Sequence, residues 1–144
     1  LRTNPPLREI MWSQREIENY LCSREVLLRF AENPAPGDAE GPLFEEAARA
    51  RRRAAMERAI EAVSTALRTL EKPAPFSPDL KASDDFLAPV FGAYFQELGL
   101  PNLMNKSDYH VLAQFVKRSE ISGDVSRVLD VIVEVAGSAK PASD

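Results

Sequence analysis

One uninterrupted run governs what this chain can become. "LFEEAARARRRAAMERAIEAVSTALRTLEK", Leu43 to Lys72, contains no proline and no glycine and lies between two proline-rich breaks. It reads as a single long helix. Met56, Ile60, Val63, Leu67 and Leu70 recur at spacings of four, three, four and three, which draws one apolar seam along the helix. A seam of that kind needs a covering surface, so the other elements are expected to gather around its C-terminal half. The first half, "EEAARARRRAAMER", is mainly alanine and charge, and is expected to be half-solvated or to cover something outside the chain.

The breaks are "NPAPGDAEGP", residues 33–42, and the segment 72–82, which opens "KPAPFSPD". Each holds three prolines, too many for a helix to pass through. Before the first break, "LREIMW" (Leu7 to Trp12) is a short run read as an N-terminal strand, with Pro5 and Pro6 marking it as an edge piece. Ser13 then stands as an N-cap with Glu16 three residues on, the spacing of a capping box, and a helix is expected through Tyr20. Ser23 is a second cap, opening "REVLLRFAEN". After the second break, Ser83 and the acidic pair Asp84 and Asp85 suit a helix start, followed by a stripe of Phe91, Tyr94, Phe95 and Leu98. Gly99 and Pro101 stop it. "KSDYHVLAQFV" and "SGDVSRVLDVIVEVAG" read as two further helices. The expected fold is mostly α: a multi-helix bundle of five to six helices with a short N-terminal strand and one long central helix, residues 1–144 forming a single domain.

Composition narrows the function classes. Hydrophobic residues make up 44% of the chain, enough for a core. Eighteen Lys and Arg against twenty-two Asp and Glu leave a net charge of −4, unlike the broad basic footprint of a dedicated nucleic-acid binder. One cysteine, Cys22, allows no internal disulfide, and a single histidine leaves no Cys/His zinc set. No apolar run approaches the roughly 20 residues that span a bilayer. No phosphate-binding glycine loop and no nucleophile elbow occur. The expectation is a cytoplasmic protein without a membrane partner, whose opening "LRTNPPLREIMW" reads as the continuation of something upstream.

The densest polar constellation is "SQREIENYLCS", Ser13 to Ser23. Glu16 and Glu18 lie two residues apart, about 200° around a helix, so both cannot face one metal on a regular helix. Glu16 has a structural task as the box residue, which leaves Glu18 as the functional candidate against its plain reading as a solvated carboxylate. Arg49, Arg51, Arg52, Arg53 and Arg58 could follow phosphates. They splay around the cylinder, however, and Glu45, Glu46 and Glu57 stand at pairing distances, so an ion-paired face is the favoured reading. His110 has no second ligand nearby. Lys106 opposes the dipole of the helix it opens, which asks for an anion or a carboxylate beside it, unless Ser107 is the true cap.

At "REIENYL" the chain resembles the element that follows the catalytic strand in TOPRIM domains of bacterial ATP-binding proteins related to the overcoming-lysogenization-defect (OLD) nucleases. The stretch carrying the likeness is Glu18, Asn19, Tyr20 and Leu21. "LPNLMNKSDYHVLAQFV", Leu100 to Val116, and "LDVIVEVA" resemble the end of those proteins. Residues 33–82 carry no such likeness. The resemblance implies a helical C-terminal region of a Mg²⁺-dependent, ATPase-coupled DNA nuclease, with residues 1–22 as the tail of the TOPRIM domain. Glu18 would then be one metal-holding carboxylate, and Lys106 a catalytic cation at the scissile phosphate. The remaining carboxylates and the ATPase motifs are absent from this chain, so it would be inactive alone, with the upstream ATPase/TOPRIM part as its partner. The rival readings are a helical protein–protein interaction module without catalysis, packing through the Met56 to Leu70 seam, with a homo-oligomer as one form, and an accessory DNA binder using Arg49 to Arg58.

Overall fold

The computed structural model describes residues 14–33, 41–121 and 123–138. The strand expected at Leu7 to Trp12, the Ser13 cap and most of the 33–42 loop lie outside them. The described chain is helical and contains no strand. A single 3-10 turn, Ile17–Tyr20, leads into α1 (Arg24–Glu32); α2 (Pro42–Thr69) is the long central helix. A wide π turn, Ala82–Leu87, runs directly into α3 (Ala88–Leu98). A 3-10 stretch (Lys106–Phe115), a second short 3-10 turn (Arg118–Glu120) and α4 (Gly123–Ser138) complete the order.

Local chemistry accounts for most of the boundaries. Ser23 caps α1, its Oγ accepting from the Val26 N–H at 3.2 Å. Gly41, at φ +85°, and Pro42 open α2, proline being preorganised for a first helical position. Gly99 takes the left-handed conformation at the end of α3, with Gly99 N–H donating to Gln96 O and Leu100 N–H to Phe95 O. The end of α2 repeats that bond pattern: Glu71 N–H reaches Arg68 O at 3.1 Å and Lys72 N–H reaches Leu67 O at 3.0 Å. Here the left-handed residue is Glu71, at φ +54°.

The helix expected through Tyr20 is only the turn Ile17–Tyr20. Asn19 turns its side chain back onto the Glu16 N–H, a local bond that competes with helix continuation. Lys106–Phe115 is 3-10 and not α, and its sequence contains the reason: Tyr109, Leu112 and Phe115 recur every three residues, the period that keeps one face of a 3-10 helix inward.

α2 packs on α3 and on α1. Met56, Ile60, Val63 and Leu67 of the seam are buried, whereas Leu70 is 65% exposed because the helix has already ended at Thr69. Phe86, Leu87, Val90 and Phe91 fill the centre, all at 0% exposure. Phe30 joins the layers through edge-on contacts to Phe91 at 5.3 Å, Tyr94 at 6.2 Å and Phe115 at 5.8 Å between ring centres. Arg52 stands apart from the half-solvated reading of the first half of α2. It is 7% exposed and caps the C-terminal end of α1, Nε donating to Ala31 O at 2.8 Å and Nη2 to Glu32 O at 3.4 Å.

Candidate functional site

The N-terminal turn is fastened to the loop between α2 and α3. Arg15 N–H donates to Pro78 O at 2.8 Å. Asn19, buried, uses its whole amide: Oδ1 accepts from Glu16 N–H at 3.0 Å, and Nδ2 donates to Leu80 O at 2.9 Å and Ser77 O at 3.1 Å. The Glu16 carboxylate reaches across to the helix start at 82–87, accepting from Ser83 N–H at 2.9 Å and from Ser83 Oγ at 3.0 Å. Glu16 is therefore a structural residue: it opens its own turn as the N-cap of a capping box with Asn19, and its carboxylate also caps the start of a different helix. Ser83, expected as a cap itself, is the group being capped.

Lys106 has its carboxylate. Its ammonium pairs with Asp84, which Lys81 also holds at 2.8 Å. Hydrogen bonds from Lys106 and then Lys81 hold the Asp84 carboxyl down at about 2. Asp84 thus serves as an ion-pair hub at a helix start. Glu18 is half-buried and stands where its charge, after burial and after Asp84, helps raise the Tyr109 phenol above its ordinary value. Glu18 and Lys106, 88 positions apart in sequence, are in this way brought around one corner with Asp84 and Tyr109. Among the described residues no group of three or more His, Cys, Asp or Glu side chains is arranged to hold a metal ion. Asp85 turns away to Lys72 at 3.2 Å.

The arginine run is largely committed within the chain. Arg49 pairs with Glu45 at 3.9 Å, Arg53 with Glu32 and with Glu57, and Arg58 with Glu97. His110 is exposed, its Nδ1 2.9 Å from the Ser107 carbonyl, an ordinary contact within its own turn. The Cys22 thiol is buried and pushed up to about 12 by that burial, which leaves it a poor nucleophile. Tyr20 donates to Asp124 at 3.3 Å, setting the start of α4 beside the N-terminal turn.

Sequence reasoning did not single out the feature that α4 presents. Leu129, Ile132, Val133 and Val135 are 55%, 55%, 69% and 49% exposed. Beside them lies an apolar cavity of about 230 Å³ lined by Leu21, Ala113, Val116, Ile121, Val125 and Leu129, with Tyr20 at its margin. The signal was available: apart from Ser126 and the charged residues Arg127, Asp130 and Glu134, every residue from Val125 to Ala136 is apolar. That arc is wider than the single stripe one neighbouring face can cover.

Comparison with known proteins returned no match: no family model, no curated protein and no solved structure is similar to the chain. No helix among the described residues is long and apolar enough to cross a membrane.

Proposed function

We propose that this chain is a helical interaction module that binds a protein partner through α4 and carries no chemistry of its own. The exposed run Leu129, Ile132, Val133 and Val135 is the observation behind this reading. Four large apolar side chains on one short helix form a contiguous patch next to an apolar cavity, the usual mark of a recognition surface on a folded domain. A photo-crosslinking side chain at Val133 should give one adduct of defined mass in cells, and Ile132→Asp should abolish it without lowering the melting temperature. No adduct at Val133, or equal adducts from the exposed control position Glu61, would reject the reading.

The OLD-like nuclease reading is kept as a second proposal because Glu18 and Lys106 approach the same corner. In that reading a protein containing the remaining carboxylates would bring Mg²⁺ to Glu18, and Lys106 would exchange Asp84 for a phosphate. Its test is the intact parent enzyme: Glu18→Gln should depress Mg²⁺-dependent DNA cleavage across a Mg²⁺ titration. Cleavage at the wild-type rate would remove Glu18, and this reading with it.

A further inference from the structure

A second exposed face, with no covering element among the described residues, lies on α2. Each α-helical residue turns the chain by about 100°, so Leu43, Ala47, Ala50 and Ala54 share one stripe. That stripe is diametrically opposite the buried stripe of Arg52, Met56, Ala59 and Val63. Leu43 is 79% exposed and the adjacent Phe44 67% exposed. Ala47 and Ala50 are exposed as well, with Ala54 half-buried. The charges beside this stripe divide into two sets. Arg49, Arg53 and Arg58 have carboxylate partners, whereas Glu46 and Arg51, both exposed, form no ion pair or hydrogen bond among the described residues.

The geometry points to a second copy of this chain as the occupant, docked antiparallel along residues 42–55 of α2. The pattern is complementary to itself. With a two-fold axis between Ala48 and Arg49, Leu43 lies over Ala54 of the partner subunit and Ala47 over the partner's Ala50. The same two contacts are generated again by symmetry. Large side chains then oppose small ones at each end and alanines meet in the middle, which permits close approach of the two helices. Across an antiparallel seam, flanking positions of the same kind face one another. Glu46, without a partner among the described residues, is set against Arg53 of the partner subunit. Arg51 is set over the ring of the partner's Phe44, a cation–π arrangement. A nucleic acid fits the face poorly, since Leu43, Phe44, Glu45 and Glu46 occupy its leading turn. The contact is short, which places it with weak, concentration-dependent interfaces.

Sedimentation velocity from micromolar to millimolar concentration tests this directly. Wild-type protein should pass from monomer to dimer within that range, and added salt should weaken the dimer. Ala50→Glu, at an exposed seam position, should abolish dimerisation while leaving the melting temperature unchanged. Glu46→Arg and Arg53→Glu should each weaken self-association by at least about tenfold, because like charges then meet twice across the axis. An equimolar mixture of these two variants should dimerise again, since the mixed dimer holds one Glu46–Arg53 contact in its native form and the other with its signs exchanged. Ile132→Asp on α4 should change none of this, so failure of the α4 reading would not be mistaken for failure here. A wild-type monomer at the highest concentration, an Ala50→Glu protein that still dimerises, or a mixture that stays monomeric would overturn the proposal.

Discussion

Replacing Glu16 and Glu18 separately should resolve the two carboxylates of the N-terminal turn into different roles. Glu16 is bound in the structure by the Ser83 N–H and hydroxyl, at the start of the helical run that continues through α3. Hydrogen bonds to charged groups contribute roughly 1.5–3 kcal/mol, and loss of a helix cap costs about 0.5–2 kcal/mol. The Glu16 carboxylate is half-buried, so the lower part of the first range applies. Glu16→Ala should cost about 2 kcal/mol. At roughly 2–4 °C per kcal/mol for a domain near this size, the melting temperature should fall by about 4–8 °C. Glu16→Gln retains one acceptor oxygen and should cost about half as much in free energy. Ser83→Ala removes only the hydroxyl donor. In a double-mutant cycle with Glu16→Ala, it should therefore show a coupling above about 0.5 kcal/mol. Glu18→Ala should stay within about 0.5 kcal/mol of wild type, as surface substitutions generally do. Urea unfolding followed by circular dichroism measures all of these. If Glu18→Ala destabilised the protein as much as Glu16→Ala, or if Glu16→Ala were silent, the assignment of roles would be wrong.

Other substitutions probe the remaining scaffold. Arg52→Ala deprives the end of α1 of its cap and leaves carbonyls at Ala31 and Glu32 without their donor, so about 2–4 kcal/mol should be lost. Arg52→Lys should recover only part of that, and a silent Arg52→Ala in urea titration would refute the cap. Glu71→Gly should raise stability by about 0.5–1 kcal/mol, since glycine adopts the left-handed conformation at φ +54° without the penalty of a Cβ; no gain would mean that Glu71 is not strained there. Asp84 and Glu120 both have carboxyls depressed to about 2, Asp84 by Lys106 and Lys81, and Glu120 by Arg29 and the Lys117 N–H. In the unfolded chain they protonate near their ordinary values, so between about pH 4.5 and 2 the unfolded state binds more protons and stability falls as pH falls. Asp84→Asn with Glu120→Gln should flatten that part of the melting-temperature profile, while the profile above pH 5 keeps its shape.

The parts of the fold legible in the sequence were those written in neighbouring residues. Ser23 before an apolar run, Gly99 after one, and the four-three spacing of Met56 to Leu67 each state a local preference that the folded chain keeps. The three-residue spacing of Tyr109, Leu112 and Phe115 is equally visible; the sequence reads as a helix without its type, and the structure makes it 3-10. What could not be read were pairings whose partners lie far along the chain. Glu16 and Ser83 are 67 positions apart, and Arg29 and Glu120 are 91 apart. Lys106 did signal an unsatisfied charge, and a carboxylate partner was among the answers considered, but nothing local indicated Asp84. Arg52 looked like one member of a basic run, since burial of a guanidinium against a helix end leaves no periodic trace. The wide apolar arc of α4 is present in the letters, but a helix alone does not reveal how little of it its own chain will cover.

The fastening of the N-terminal turn carries a consequence for the order in which the molecule assembles. Asn19 and Leu80 close a loop of 61 positions, and Tyr20 and Asp124 one of 104, whereas the contact of α1 with α2 and that of α2 with α3 join helices adjacent in the chain. Closing long loops costs more chain entropy before any contact repays it. The three-helix core is therefore expected to come together first, with the amide of Asn19 set into its carbonyls afterwards, as a latch on a structure already built. Unlatching reverses the last step before any other. In native-state hydrogen exchange, the amides of Asn19 and Leu21 should open at a lower free energy than those of α2, releasing the start of the chain from an intact core.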